Sequence, residues 1–138
     1  MRLNNNSIII GSEIMKVCHV CSNFDNFFVN LMEKQKINDI DLKVFFFRAK
    51  EKGWPNFNSS YVDVRLNYRN WHRFFFRLKE SLVLKDFFRI YSKEDFDLLH
   101  AHTLFSNGYI AFKAKRKWRI PYIVAVRDTD VNIFFKYR

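Results

Sequence analysis

A chain of 138 residues that is 49 % apolar and carries a net charge of +10 can form one packed domain or a large part of one. Its two cysteines exclude a disulfide framework, and no apolar run is long enough to span a bilayer. The charge calls for an acidic partner, either a phosphate-bearing substrate, an anionic membrane surface or a nucleic acid, unless it serves solubility alone.

Residues 1–14 read as an extension, disordered or not native to the domain, and Met15 is the expected start. Ile8-Ile9-Ile10 follows Asn4-Asn5-Asn6 and is too short for a signal-peptide core. The expected location is therefore the cytoplasm, with the inner face of a membrane as a resting place. Lys16 to Cys21 forms the first strand. Phe24, Phe27, Phe28 and Leu31 recur at the spacing of an amphipathic helix, and Asp25 is its candidate cap. Leu42 to Phe47 reads as a second strand, Gly53 to Ser60 as loop, and Tyr61 to Leu66 as a third strand.

Trp71 to Tyr91 is helical in pattern but carries two apolar stripes. Trp71, Phe74, Phe75, Leu78 and Leu82 share one face, and Leu84, Phe87, Phe88 and Tyr91 lie nearly opposite. One straight surface helix cannot bury both, so the pattern predicts a break between Ser81 and Lys85, or a helix covered on two sides. Between Arg65 and Lys93 stand eight basic residues and two acids, a net of +6. Arg73, Arg77, Lys85 and Arg89 form either a solvated face or a face resting on anionic lipid, a use that suits basic residues beside aromatics.

The fourth strand closes on Asp97-Leu98-Leu99-His100-Ala101-His102. A helix follows from about Ser106, its candidate cap, to Trp118, where Ile120-Pro121 stops it. The last strand closes on Val126-Arg127-Asp128-Thr129-Asp130. Such apolar runs suit a parallel sheet buried on both faces. Right-handed β-α-β connections then give the strand order three, two, one, four, five. Ligands of open α/β sheets bind outside the carboxyl ends of the strands where that order reverses. Ser22 and Asn23 end strand one at that place, beside His100 and His102.

Each of these residues has a functional and a structural use. His100 and His102 point the same way on a strand and either position a substrate hydroxyl or phosphate or bond to backbone. Arg127 matches a phosphate with its planar fork or pairs with Asp128 or Asp130. Those aspartates either accept a proton from an acceptor hydroxyl or cap a helix starting near Val131. Asn23 contacts a phosphate or serves as a turn residue. A metal on the histidines with His19 or Cys21 is disfavoured, because Cys18 and Cys21 fall on opposite strand faces and no second cysteine pair follows.

The run Phe96 to Thr103, then Gly108-Tyr109, Ile120 to Val126 and Asp130-Val131-Asn132, resembles glycosyltransferase family four, and Met15 to Val20 is similar to the opening strand of that family. The resemblance runs from Met15 to the end and is specific from Phe96 onward. It implies a retaining enzyme of the GT-B fold, with two facing Rossmann-like domains. Two departures stand out: Ser22 to Asn26 holds no glycine where the family has a glycine-rich turn, and Arg127 replaces the histidine that touches the donor sugar. Only Asp130 carries over directly from that motif. The resemblance also implies that 15–138 is the incomplete amino-terminal, acceptor-side half of such an enzyme, inactive without a carboxyl-terminal donor-binding domain supplied in another frame or chain. Its substrates would be a nucleotide sugar and a lipid-linked or polysaccharide acceptor, with no metal or other cofactor. Asp130 and His102 are then the candidate catalytic residues, and Ser22, Asn23, His100, Arg127 and Asp128 the candidate substrate contacts. Two rival readings are a basic nucleic-acid-binding module, for which no motif appears, and a non-catalytic domain completed by a partner chain.

Overall fold

The computed structural model describes residues 14–56, 59–128 and 130–136; the expected extension therefore lies almost wholly outside the described residues. Five strands, β1 (Lys16–Cys21), β2 (Asp41–Ala49), β3 (Val62–Tyr68), β4 (Leu98–Ala101) and β5 (Tyr122–Val124), form one sheet. Its order is β3-β2-β1-β4-β5, as expected, and every pairing is parallel. The helices are α1 (Asn26–Ile37), α2 (Phe76–Ile90) and α3 (Ser106–Trp118). The chain thus has an α/β, Rossmann-like fold. No described helix is long and apolar enough to cross a membrane.

Alternation along the strands divides the core into two layers. Cys18, Val20, Phe45, Phe47, Leu99 and Ala101 face α2 and α3, where Val83, Phe87, Ile110, Ala114 and Trp118 cover them. Cys21, Val44 and Phe46 face Phe24, Phe28 and Met32 at α1. Each large side chain so buried contributes about 1.5–3 kcal/mol. Cys18 and Cys21 do lie on opposite faces, both buried and unbridged. At the β5 edge the layers are uneven: Ile123 remains 49 % exposed, so this strand is not buried on both faces as its apolar run predicts.

Asp25 caps α1 as expected, accepting from the backbone N–H of Phe27 at 3.0 Å and of Phe28 at 3.4 Å. Asp25→Ala should cost about 1 kcal/mol in a urea titration; an unchanged midpoint would show that the cap contributes nothing. The stripe behind the cap differs from expectation. Phe28 and Met32 are buried, whereas Phe27 is exposed.

The largest departure is in the region 70–90. No break occurs between Ser81 and Lys85; α2 runs through it. The chain instead turns at Phe75 (φ −118°, ψ 79°), between a short 3₁₀ helix (Asn70–Phe74) and α2. The helix buries only Glu80, Val83, Asp86 and Phe87. The conflict between the two stripes is resolved by leaving Trp71, Phe74, Phe75 and Leu78 in solvent. Arg77, Lys85 and Arg89 are exposed on the outward side of α2. Arg89 also reaches Asp86, which Arg65 holds with two bonds of 2.7 Å.

Helix α3 packs closely on the sheet. A Cβ on Gly108 would sit 3.3 Å from the Thr103 carbonyl and 3.5 Å from Val124, so glycine lets the helix start approach the loop after β4 closely. Ser106 does not cap α3: it is the first residue of the helix, Phe105 holds the cap position, and the Ser106 hydroxyl is bonded to Glu80.

Candidate functional site

Strand order reverses between β1 and β4, and at their carboxyl ends lies a crevice of about 520 Å³. The connections leaving the two strands diverge there and leave a gap. Ser22 and Asn23 leave β1, His102 and Thr103 leave β4, Ser106 and Asn107 open α3, and Arg127 and Asp130 follow β5. Five of the residues singled out in the sequence, Ser22, Asn23, His102, Arg127 and Asp130, therefore share one wall. His100 and Asp128 do not line it. His100 lies on the α1 side of the sheet beside His19, and Asp128 is exposed, accepting from the Asn132 side-chain amide.

Asp130 is 2 % exposed. Its carboxylate accepts the backbone N–H of Arg127 at 3.0 Å and of Leu104 at 3.1 Å. It ties the loop after β5 to the loop after β4, rather than capping forward onto the π-helical turn Asp130–Phe135. Arg127 completes the tie, its Nε donating to the His102 carbonyl at 2.8 Å, with the guanidinium 4.7 Å from the Phe28 ring centre. Its partner is thus a backbone carbonyl and an aromatic face, and the expected pairing with an aspartate side chain is absent among the described contacts. Asn23 donates to Asp25 at 3.5 Å, the local use expected of a turn residue.

His102 is 2 % exposed, and its Nε2 lies 2.9 Å from Nδ1 of His19. Burial, then the neighbouring His100, His19 and Arg127, lower its pKa to about 3. His19 is lowered to about 4 by burial and His100, against the Gln35 side chain, which raises it. Burial and then Arg127 lower His100 as well. All three imidazoles are neutral at pH 7, so His102 acts there by hydrogen bonding and not as a cation. Their ring nitrogens lie within 4.8 Å of one another. Among the described residues this is the cluster able to hold a metal. A metal on these histidines is disfavoured from the sequence because Cys18 and Cys21 face opposite ways; the structure brings His19, not Cys21, together with His100 and His102.

Four residues of the crevice were not visible as such in the sequence: Lys52, Tyr68, Lys79 and Asn107. Lys79 donates to Ser106 Oγ at 2.7 Å and lies 3.2 Å from Glu80 Oε1. The Ser106 hydroxyl in turn donates to Glu80 at 2.7 Å. Burial pushes the Glu80 carboxyl above its usual range, against the pull of Lys79 and Ser106. The signal for Glu80 was present: it falls in the 80, 83, 87 stripe that α2 buries. Arg73, expected on a membrane face, lines the crevice too. The wall thus carries Lys52, Arg73, Lys79 and Arg127 around the first turn of α3, an arrangement suited to an anionic ligand. Asn107 adds an acceptor, as its buried Oδ1 has no partner among the described residues.

Comparison of the sequence with protein-family models and with curated proteins finds no match to either.

Proposed function

We propose that this chain is the acceptor-side part of a retaining glycosyltransferase, one that moves a sugar from a nucleotide sugar to a lipid-linked or polysaccharide acceptor. The observation that carries the reading is the crevice. It lies at the reversal of a parallel sheet, and it gathers Lys52, Arg73, Lys79, a helix amino terminus and the Asn107 acceptor against Ser22, Asn23, His102, Arg127 and Asp130. The reaction type and retained configuration come from the sequence resemblance; the crevice supports it with cations suited to a diphosphate. In this reading Arg127, Lys79 and the first amides of α3 hold the diphosphate. Neutral His102 positions an acceptor hydroxyl, and Ser22 and Asn23 close the β1 side. Asp130 is a positioning residue, because its Oδ2 accepts two backbone amides and so ties the loops after β4 and β5 together. Catalysis would require a second, donor-binding domain.

The test is calorimetric titration with a sugar diphosphate linked to a short prenyl chain. The chain should bind it, and Arg127→Gln should weaken binding about tenfold through loss of a charge-assisted contact. No binding, or equal binding by the variant, would count against the reading.

The same proposal places the chain on the inner face of a membrane. Support comes from the 71–78 segment, where Phe74 is 86 % exposed and Trp71, Phe75, Phe76 and Leu78 are exposed beside Arg73 and Arg77. Apolar rings rimmed by arginines suit an anionic interface. Phe74→Ser with Phe75→Ser should lower binding to phosphatidylserine-containing vesicles about tenfold or more. Equal sedimentation of variant and wild type would remove the membrane from the account.

A further inference from the structure

Strands β1 and β4 are parallel neighbours, with His19 opposite His100. His102 lies two residues further along the chain, on the same face. That face is covered by α1, and Phe28 sets its ring edge-on to His102 with centres 4.9 Å apart. The result is three imidazoles converging beneath a dry aromatic wall. We propose that His19, His100 and His102 form a binding site for a zinc-class transition-metal ion.

The geometry is close to what such an ion needs. The three ligand nitrogens lie within 4.8 Å of one another, and the tightest pair, His19 Nδ1 and His102 Nε2, is 2.9 Å apart. Metal–nitrogen bonds of about 2.0–2.1 Å at a tetrahedral angle place two nitrogens about 3.3 Å apart. The ion therefore needs this pair to open by a few tenths of an ångström, the wider nitrogens to close from as much as 4.8 Å, and the rings to turn so that the hydrogen bond between them is exchanged for two metal bonds. Neutral imidazole is the form that ligates, and an all-imidazole set suits zinc, copper or nickel rather than magnesium or calcium.

Burial is graded in the same sense. His19 and His102 are enclosed, while His100 is half-buried on the uncovered side toward β5. An ion therefore enters past His100, and three protein ligands leave a fourth position open to water or substrate. Outer contacts hold the rings: Gln35 faces His19, and Arg127 fixes the His102 carbonyl. The Arg127 charge opposes a cation, so a moderate affinity is expected.

The site does not depend on the sugar-transfer reading and is tested apart from it. Chelator-treated full chain is titrated with cobalt(II) alone and followed by the visible absorption of a tetrahedral ion, then with zinc(II) alone to displace it. One equivalent should bind, and zinc should erase the band. His100→Gln, at the half-exposed position least able to disturb folding, should weaken binding by more than the roughly 10–100-fold typical of a lost outer-shell partner. His72→Gln, at the histidine bonded to the Arg69 amide outside the cluster, should change nothing. No tetrahedral band, or a band that His100→Gln leaves intact, would overturn the proposal. Neither outcome bears on whether the crevice binds sugar diphosphates.

Discussion

Replacing Lys79 by methionine should destabilise the fold by about 3 kcal/mol, because it strips a buried carboxylate of the cation paired with it. Glu80 is fully buried, and its partners among the described residues are Lys79 and the Ser106 hydroxyl. Its other oxygen, Oε2, has no partner among the described residues. Methionine also gives up the ammonium's approach to the Phe47 and Tyr68 rings, 5.9 and 5.3 Å from their centres, so part of the loss is cation–π. Adding Glu80→Gln should recover most of the deficit, since replacing both members of a buried pair is often close to neutral. The deficit should also shrink in acid, where Glu80 takes up a proton and no longer needs the cation. Urea denaturation of the single and double variants at pH 7 and pH 5 measures all three effects. A single variant within about 0.5 kcal/mol of wild type, the ordinary range of a surface change, would mean that the pair is solvated.

The second large effect is acid destabilisation of the metal-free protein. His19 and His102 are lowered to about 4 and about 3, against an ordinary value of about 6.5. Between about pH 6.5 and pH 4 the unfolded chain therefore binds protons that the folded chain refuses. Stability is full above the unfolded value and falls as pH drops through this window, by on the order of 3 kcal/mol for each histidine. Glu80 acts in the opposite sense, because its raised carboxyl favours the folded state on protonation. For Asp86, burial pushes upward but the Arg65 and Arg89 contacts prevail and hold it low, so its loss comes at more acid pH. Urea midpoints taken in chelator from pH 7 to pH 4.5 should fall steadily from pH 6.5 downward. A flat profile over that range would show that the histidines are solvated or charge at no cost in the fold.

Strand order and the crevice were legible because they follow from few rules. Apolar runs such as Val44 to Phe47 mark buried parallel strands, and the handedness of β-α-β units then places strand four beside strand one. That placement put His102 next to Ser22 and Asn23 before any coordinate. The helix break was misplaced for a definite reason. The two-stripe argument required every aromatic to be buried, whereas the protein leaves Trp71, Phe74 and Phe75 exposed, and three consecutive phenylalanines at 74–76 mask the turn at Phe75. Ser106 had the sequence context of a cap, but the cap position falls on Phe105, and Ser106, one residue into the helix, bonds Glu80, twenty-six residues earlier. The adjacency of His19 and His100 was implicit in the strand order. The closure of His102 Nε2 onto His19 depends on sheet twist and rotamers, which spacing does not encode.

The central claim is that the crevice between β1 and β4 holds a sugar diphosphate. It is tested most directly by mapping backbone amide shifts of isotope-labelled protein during titration with the prenyl-linked sugar diphosphate. The account predicts shifts concentrated at Ser22, Asn23, Thr103, Ser106, Asn107 and Arg127. Shifts absent from those residues, or confined to the exposed aromatics of 71–78, would contradict it.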